Sequence, residues 1–145
     1  MKNYMKLTFP SDSVNQSFAR SAVASFILPL NPTLSELSDV KTAVSEAVTN
    51  CMVHAYRHTT GEITLECETF GNVLHIRISD TGVGIENVEL ATTPFYTTLD
   101  DEERSGMGFT IMQTFTDELK VTSAKGQGTT VYMTKIFTDG QTDAE

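Results

Sequence analysis

The chain has 145 residues, enough for one domain with a buried core, and 39% of them are hydrophobic. Nineteen acidic residues against ten basic ones give a formal charge of -9, a surface that disfavours nucleic acid and anionic membranes as partners. The longest apolar runs, such as Phe26-Ile27-Leu28-Pro29-Leu30, are far too short to span a bilayer, and the N-terminus lacks a signal-peptide core. Cys51 and Cys67 form no Cys-x-x-Cys pair, so a cytoplasmic protein with two reduced, buried thiols is expected. One domain is expected over residues 1–137, with a polar, acidic tail at 138–145 that frays.

Lys6-Leu7-Thr8-Phe9 reads as a short first strand ended by Pro10. Ser13 and Gln16 have capping-box spacing, and Val14, Phe18, Ala22 and Phe26 recur every four residues, which predicts a helix to about Leu28. Arg20 falls on the side away from Phe18, among small residues: a solvated face, or a docking surface with an arginine anchor. Thr33 and Glu36 make a second capping box. The helix behind it is expected to run to Arg57, with Leu37, Val40, Val44, Ala47, Val48, Cys51 and Ala55 as its apolar stripe. Thr42, Glu46, Asn50 and Arg57 gather on another face, with His54 beside them. Such a row can simply face water, but this one sets a carboxylate one turn before a carboxamide.

Residues 62–69 alternate as a strand, and Gly71-Asn72 turns the chain into the next one, 73–80. That strand ends at Asp80-Thr81-Gly82-Val83-Gly84. A carboxylate there can accept from an exocyclic amino group such as adenine's, and Gly82 and Gly84 can let backbone approach a flat ligand; the same pattern also makes ordinary hairpin turns. No clear period follows until about Ser105, a length typical of lids or disordered segments. Ser105-Gly106-Met107-Gly108-Phe109 then opens a helix, and glycines at a helix start make an anion site by geometry. Two closing strands, around 118–124 and 129–137, are joined by Gly126-Gln127-Gly128.

The order of these boxes carries the argument: Glu46-x-x-x-Asn50-x-x-x-His54, Asp80-x-Gly82-x-Gly84, a long lid, Gly106-x-Gly108-Phe109, and Gly126-x-Gly128-Thr129-Thr130. It resembles the Bergerat ATP-binding fold of the GHKL superfamily (gyrase B, Hsp90, histidine kinases, MutL) over essentially the whole chain. Glu46-Ala47-Val48-Thr49-Asn50, the stretch Glu103 to Met112, Phe18-Ala19-Arg20 and Asn31-Pro32-Thr33 are similar to the anti-sigma serine kinases of spore-forming bacteria. The sporulation group matches these flanks better than the RsbW-type kinases of the general stress response. Ala55 and Leu99-Asp100 depart from the pattern, where glycine and, in many members, a lysine are common.

The resemblance implies an α/β two-layer sandwich, one mixed, mainly antiparallel sheet with helices on one face. It also implies Mg-ATP or ADP as ligand. Asp80 would bind the adenine amino group, with Thr130 supporting it, and Asn50 would complete Mg²⁺ coordination. Ser105, Gly106, Met107, Gly108 and Phe109 would wrap the phosphates through backbone amides, with Thr97 and Thr98 adding hydroxyls. Glu46 would act as general base and Arg104 as the lid's cation. Implied partners are a sigma F-like sigma factor, an anti-anti-sigma factor bearing the substrate serine, and a second copy of the chain. In the family the arginine matching Arg20 helps contact both protein partners. Glu46 could instead only order water, Arg104 could pair with lid acids, and His54 reads as a hydrogen-bond partner rather than a phospho-acceptor. A nucleotide-gated binder with little catalysis is the competing class; a gyrase-like hydrolase would need a transducer domain that this length has no room for.

Overall fold

The computed structural model describes residues 2–56, 59–84 and 108–138. Five strands form one sheet: β1 (Lys2–Pro10), β2 (Glu62–Phe70), β3 (Val73–Asp80), β4 (Glu118–Ser123) and β5 (Thr129–Ile136). Their order is β1-β2-β3-β5-β4, and every pairing among them is antiparallel. Alternation sets the faces: Ile63, Leu65 and Cys67 of β2, Leu74, Ile76 and Ile78 of β3, and Val131 and Met133 of β5 are all buried. The opposite face carries Glu66, His75, Arg77 and Tyr132, with the Arg77 guanidinium 5.7 Å from the Tyr132 ring centre.

β1 is nine residues long rather than four. Its first half lacks a hydrophobic alternation because it is an edge strand held by backbone pairing and polar contacts. Lys2 pairs with Glu68 at 3.2 Å, and the Tyr4 hydroxyl meets Glu66 at 3.0 Å. Pro10 is tolerated at the end of such an edge.

Helices cover the buried face. α1 (Val14–Phe26) buries Ala19 and Val23, with Ile27 following, so the contact row is offset from the one the four-residue spacing suggested. Val14 is 71% exposed and Phe18 52%, the latter meeting Phe9 edge-on at 6.4 Å. The Ser13–Gln16 capping box does not form. Ser13 already has helical angles, φ -58° and ψ -24°, and Oδ1 of Asp12 accepts from the Val14 N–H at 3.0 Å instead.

The second box does form. Thr33 is extended, its hydroxyl accepts from the Glu36 N–H at 3.0 Å, and Glu36 returns the bond to the Thr33 N–H at 2.9 Å. It opens α2 (Leu34–Asn50), which buries Val40, Ala43, Val44, Ala47 and Val48. A π turn over Cys51–Ala55 continues the helix, and Tyr56, at φ -121° and ψ 53°, leaves it two residues before the expected end. α3 (Gly108–Phe115) packs on α2 through buried Met112. Lys135 ties the two, reaching Asp39 of α2 and the carbonyl of Phe115 at 3.2 Å each.

The described chain closes on itself at Thr138. Glu36 is 8% exposed, and its second oxygen accepts from the Thr138 N–H at 2.9 Å and hydroxyl at 3.1 Å. Asn72, in the turn between β2 and β3, exchanges two 2.8 Å hydrogen bonds with the backbone of Phe137. Residues 139–145 of the expected tail lie outside the described residues.

Candidate functional site

The site is built where β3 ends against the last turn of α2. Asp80 is only 8% exposed. Its Oδ1 accepts from the Gly82 N–H at 2.9 Å and from the Thr129 N–H at 3.2 Å, which fixes the carboxylate's plane. From the helix side comes Cys51, buried and close to Asp80. Burial first, then the negative charge of Asp80, push the Cys51 thiol well above its usual range. The thiol therefore stays protonated. A carboxylate can accept about four hydrogen bonds, so one set from both sides in this way retains capacity for an outside donor.

The glycine boxes interlock around that carboxylate. A Cβ on Gly82 would lie 2.4 Å from the carbonyl oxygen of Ala55, and the Val83 N–H bonds that oxygen at 3.3 Å. Gly128 has φ +83°, and a Cβ there would lie 2.2 Å from the carbonyl oxygen of Asp80. A Cβ on Gly84 would lie 2.0 Å from that of Ala124. At these three positions the missing side chain lets protein backbone pass protein backbone, which is a reason for glycine beyond ligand approach.

Glu46 and Asn50 stand one turn apart on α2, both half-buried, and His54 is half-buried on the π turn. They share one continuous helical element with Cys51, which lies beside Asp80 at the end of β3. Gly108 is buried at the first position of α3, and Phe109 packs partly against the core. Thr97, Thr98, Arg104, Ser105, Gly106 and Met107 lie outside the described residues.

Two placements differ from expectation. By register Thr130 pairs with Ser79 and Thr122, and alternation sets it on the open face with Tyr132, whereas Asp80 shares the helix-covered face with Ile78. The neighbour of Asp80 is Thr129. Counting back by twos from the apolar pair Met133 and Val131 reaches Thr129, so strand parity was the available signal. Arg20 is half-buried rather than exposed, because it follows Ala19 where α1 meets the core. Cys51, read as core from sequence, also lies beside Asp80.

The profile of the histidine kinase-like ATPase domain matches residues 9–135. An anti-sigma F factor of Thermoanaerobacter sp. (strain X514) is 54% identical over 135 residues, covering 93% of this chain and 94% of that protein. That of Caldanaerobacter subterraneus subsp. tengcongensis is 55% identical with the same coverage. The chain belongs to the anti-sigma F factor family. In Clostridium acetobutylicum a family member is 50% identical over 137 residues, 94% of this chain and 96% of its own. Among solved structures, the RsbU and RsbW domains of a Mycobacterium tuberculosis protein align with a TM-score of 0.66 at 15% identity, covering 93% of this chain and 32% of that one. The catalytic domain of the histidine kinase ThkA aligns at 0.56 and 13%, covering 93% and 97%. These two likenesses show the shared fold. The ATPase profile implies ATP or ADP as the family's ligand. No helix among the described residues is long and apolar enough to cross a membrane.

Proposed function

We propose that the protein is an anti-sigma factor and a protein serine kinase of the cytoplasm. It holds a sigma F-like sporulation sigma factor inactive, and it transfers the γ-phosphoryl group of Mg-ATP to a serine of an anti-anti-sigma factor. Family membership supports the first half. The placement of Glu46 one turn before Asn50, on the helix that continues to Cys51 beside Asp80, supports the second.

In this reading Asp80 takes the adenine amino group and sets the nucleotide's depth. Asn50 is the one side chain offered to Mg²⁺. Among the described residues no three His, Cys, Asp or Glu side chains gather to hold a metal, which suits a cation that keeps waters and phosphate oxygens as its other ligands. When bound, the cation neutralises charge on the phosphates. Glu46 takes the proton of the attacking serine hydroxyl as its oxygen bonds the γ-phosphorus and the bond to the ADP oxygen breaks. Phosphoryl transfer needs mainly positioning and charge stabilisation. The backbone of Ser105, Gly106, Met107, Gly108 and Phe109 is assigned to the phosphates, Thr97 and Thr98 add hydroxyls, and Arg104 offsets developing charge. His54 lies beside this set as a hydrogen-bonding side chain. Arg20 is assigned to the protein partners. A homodimer is part of the proposal, and β1 is one of the two edge strands of the described sheet.

The test is single-turnover transfer from labelled ATP to a purified serine-bearing anti-anti-sigma protein. Glu46→Gln keeps size and some hydrogen bonding but removes the basic oxygen. It is expected to retain Mg-ATP and sigma binding and to slow transfer by about 10²–10⁴-fold. A rate within about a factor of two of wild type would remove Glu46 as the base. Absence of transfer by the wild-type protein would leave a nucleotide-gated sigma binder.

A further inference from the structure

The helix carrying Glu46 and Asn50 does not end as an α-helix. The Tyr56 N–H bonds the carbonyl of Cys51 at 3.1 Å, an i to i+5 bond closing the π turn Cys51–Ala55. In an α-helix residues five apart point about 140° away from each other. The wider turn brings Cys51 and Tyr56 toward one side of the helix. Both are buried, at 4% and 7% exposure; Cys51 faces the end of β3 and Tyr56 the turn that follows it.

Their targets are consecutive. Cys51 lies beside Asp80. The Tyr56 hydroxyl accepts from the Thr81 N–H at 2.8 Å, donates to the Glu62 carbonyl at 2.7 Å, and lies 3.2 Å from the Thr81 hydroxyl. The Tyr56 ring occupies the space beside Gly61, where a Cβ would come within 2.1 Å of it. Ala55, between them, receives the Val83 N–H. The π turn and the Tyr56 that caps it therefore hold Thr81 and Val83 by hydrogen bonds and set Cys51 beside Asp80. Single π turns inside α-helices are rare overall and frequent at functional sites.

We infer that this π turn positions the adenine-binding carboxylate, with Tyr56 acting through the Thr81 amide and Cys51 through Asp80 itself. Tyr56 is a positioning residue: it sets the distance between Asp80, at one end of the nucleotide, and Glu46 and Asn50, at the other. The inference rests on the reading of Asp80 as the adenine acceptor, and the test separates the two.

The measurement is calorimetric affinity of the full chain for Mg-ATP and for Mg-ITP, whose base carries a carbonyl in place of the amino group. Tyr56→Phe keeps the ring and strips the Thr81 N–H and the Glu62 carbonyl of their partner. The ATP to ITP affinity ratio is expected to fall about tenfold, through loss of ATP affinity alone. An equal loss for both nucleotides, or no loss, overturns the inference, because a merely structural residue does not discriminate the base. Asp80→Asn is measured alongside. If it leaves the ratio unchanged, the adenine reading fails and the inference falls with it. If it collapses the ratio while Tyr56→Phe does not, the positioning role alone fails. Should Tyr56→Phe not fold by thermal melting, Cys51 carries the test: Cys51→Ala lowers the ratio and Cys51→Ser keeps it, and equal ratios for the two overturn the inference.

Discussion

The backbone N–H of Thr129 lies 3.2 Å from Oδ1 of Asp80, so the first residue of β5 fastens the last residue of β3. The same oxygen takes the Gly82 N–H. Asparagine at position 80 can accept both bonds through its amide oxygen, so Asp80→Asn is expected to fold. What it loses is the charge on the acceptor. Affinity for ATP and ADP is expected to fall alike, by about 10–100-fold, since the base is common to both. Calorimetry with each nucleotide checks this, and unchanged affinity for both removes Asp80 from the base site.

Asn50 gives a prediction at the other end of the nucleotide. Asn50→Ala is expected to weaken Mg-ATP binding more than metal-free ATP binding. Parallel titrations with Mg²⁺ and with a chelator measure the difference. Equal losses would mean that Asn50 is no metal ligand.

Arg20 stands half-buried on α1, which packs against α2. Arg20→Glu is expected to lower sigma-factor and anti-anti-sigma binding while sparing ATP affinity. Circular dichroism separates this from damage to α1. Lost helicity would make Arg20 a structural residue, and intact partner binding would remove it from the interface.

Acid stability should depend on Glu36. Burial alone would raise its pKa, but the bonds from the Thr33 and Thr138 backbones and the Thr138 hydroxyl outweigh burial and hold it below 4.5. The unfolded chain lacks those bonds. The stabilisation is thus complete above the unfolded value and lost as pH falls through the lower, folded value. Glu36→Gln is expected to be less stable than wild type at neutral pH, with the gap in Tm narrowing as pH falls below the ordinary carboxylate range. A gap that stays constant would show that the charge on Glu36 contributes nothing.

Where a residue's partner lies close in sequence, the sequence reports it. The Thr33–Glu36 box, the alternation of β2 and β3 and the Gly71-Asn72 turn all form as read. The α1 register was not legible, because Ala19, Val23 and Ile27 recur every four residues just as Val14, Phe18, Ala22 and Phe26 do, and spacing alone does not choose between the two rows. Phe18 misled: it is large, yet it meets Phe9 at the margin. Ser13 lost its cap to Asp12, a competition between neighbours with equally suitable oxygens. Thr129 and Thr130 are the same residue type, so only strand register tells which one faces Asp80. Nothing in the spacing of the Asn50 helix announces a π turn. Its evidence is a hydrogen bond between Tyr56 and Cys51 that an α-helix would not make.

Because β5 lies between β3 and β4, the last of the described strands in chain order is an interior strand of the sheet. During synthesis β1, β2 and β3 can pair as they emerge, but the far edge of β3 must wait for residues 129–136. Until then the nascent chain carries an open row of N–H and C=O groups, the template on which strands of other chains add. Interruption of translation within β4 or its turn would therefore release a fragment already holding three strands and an adhesive edge. The hazard in making this protein lies between the completion of β3 at Asp80 and the arrival of β5 at Thr129, after most of the described hydrophobic core has been translated.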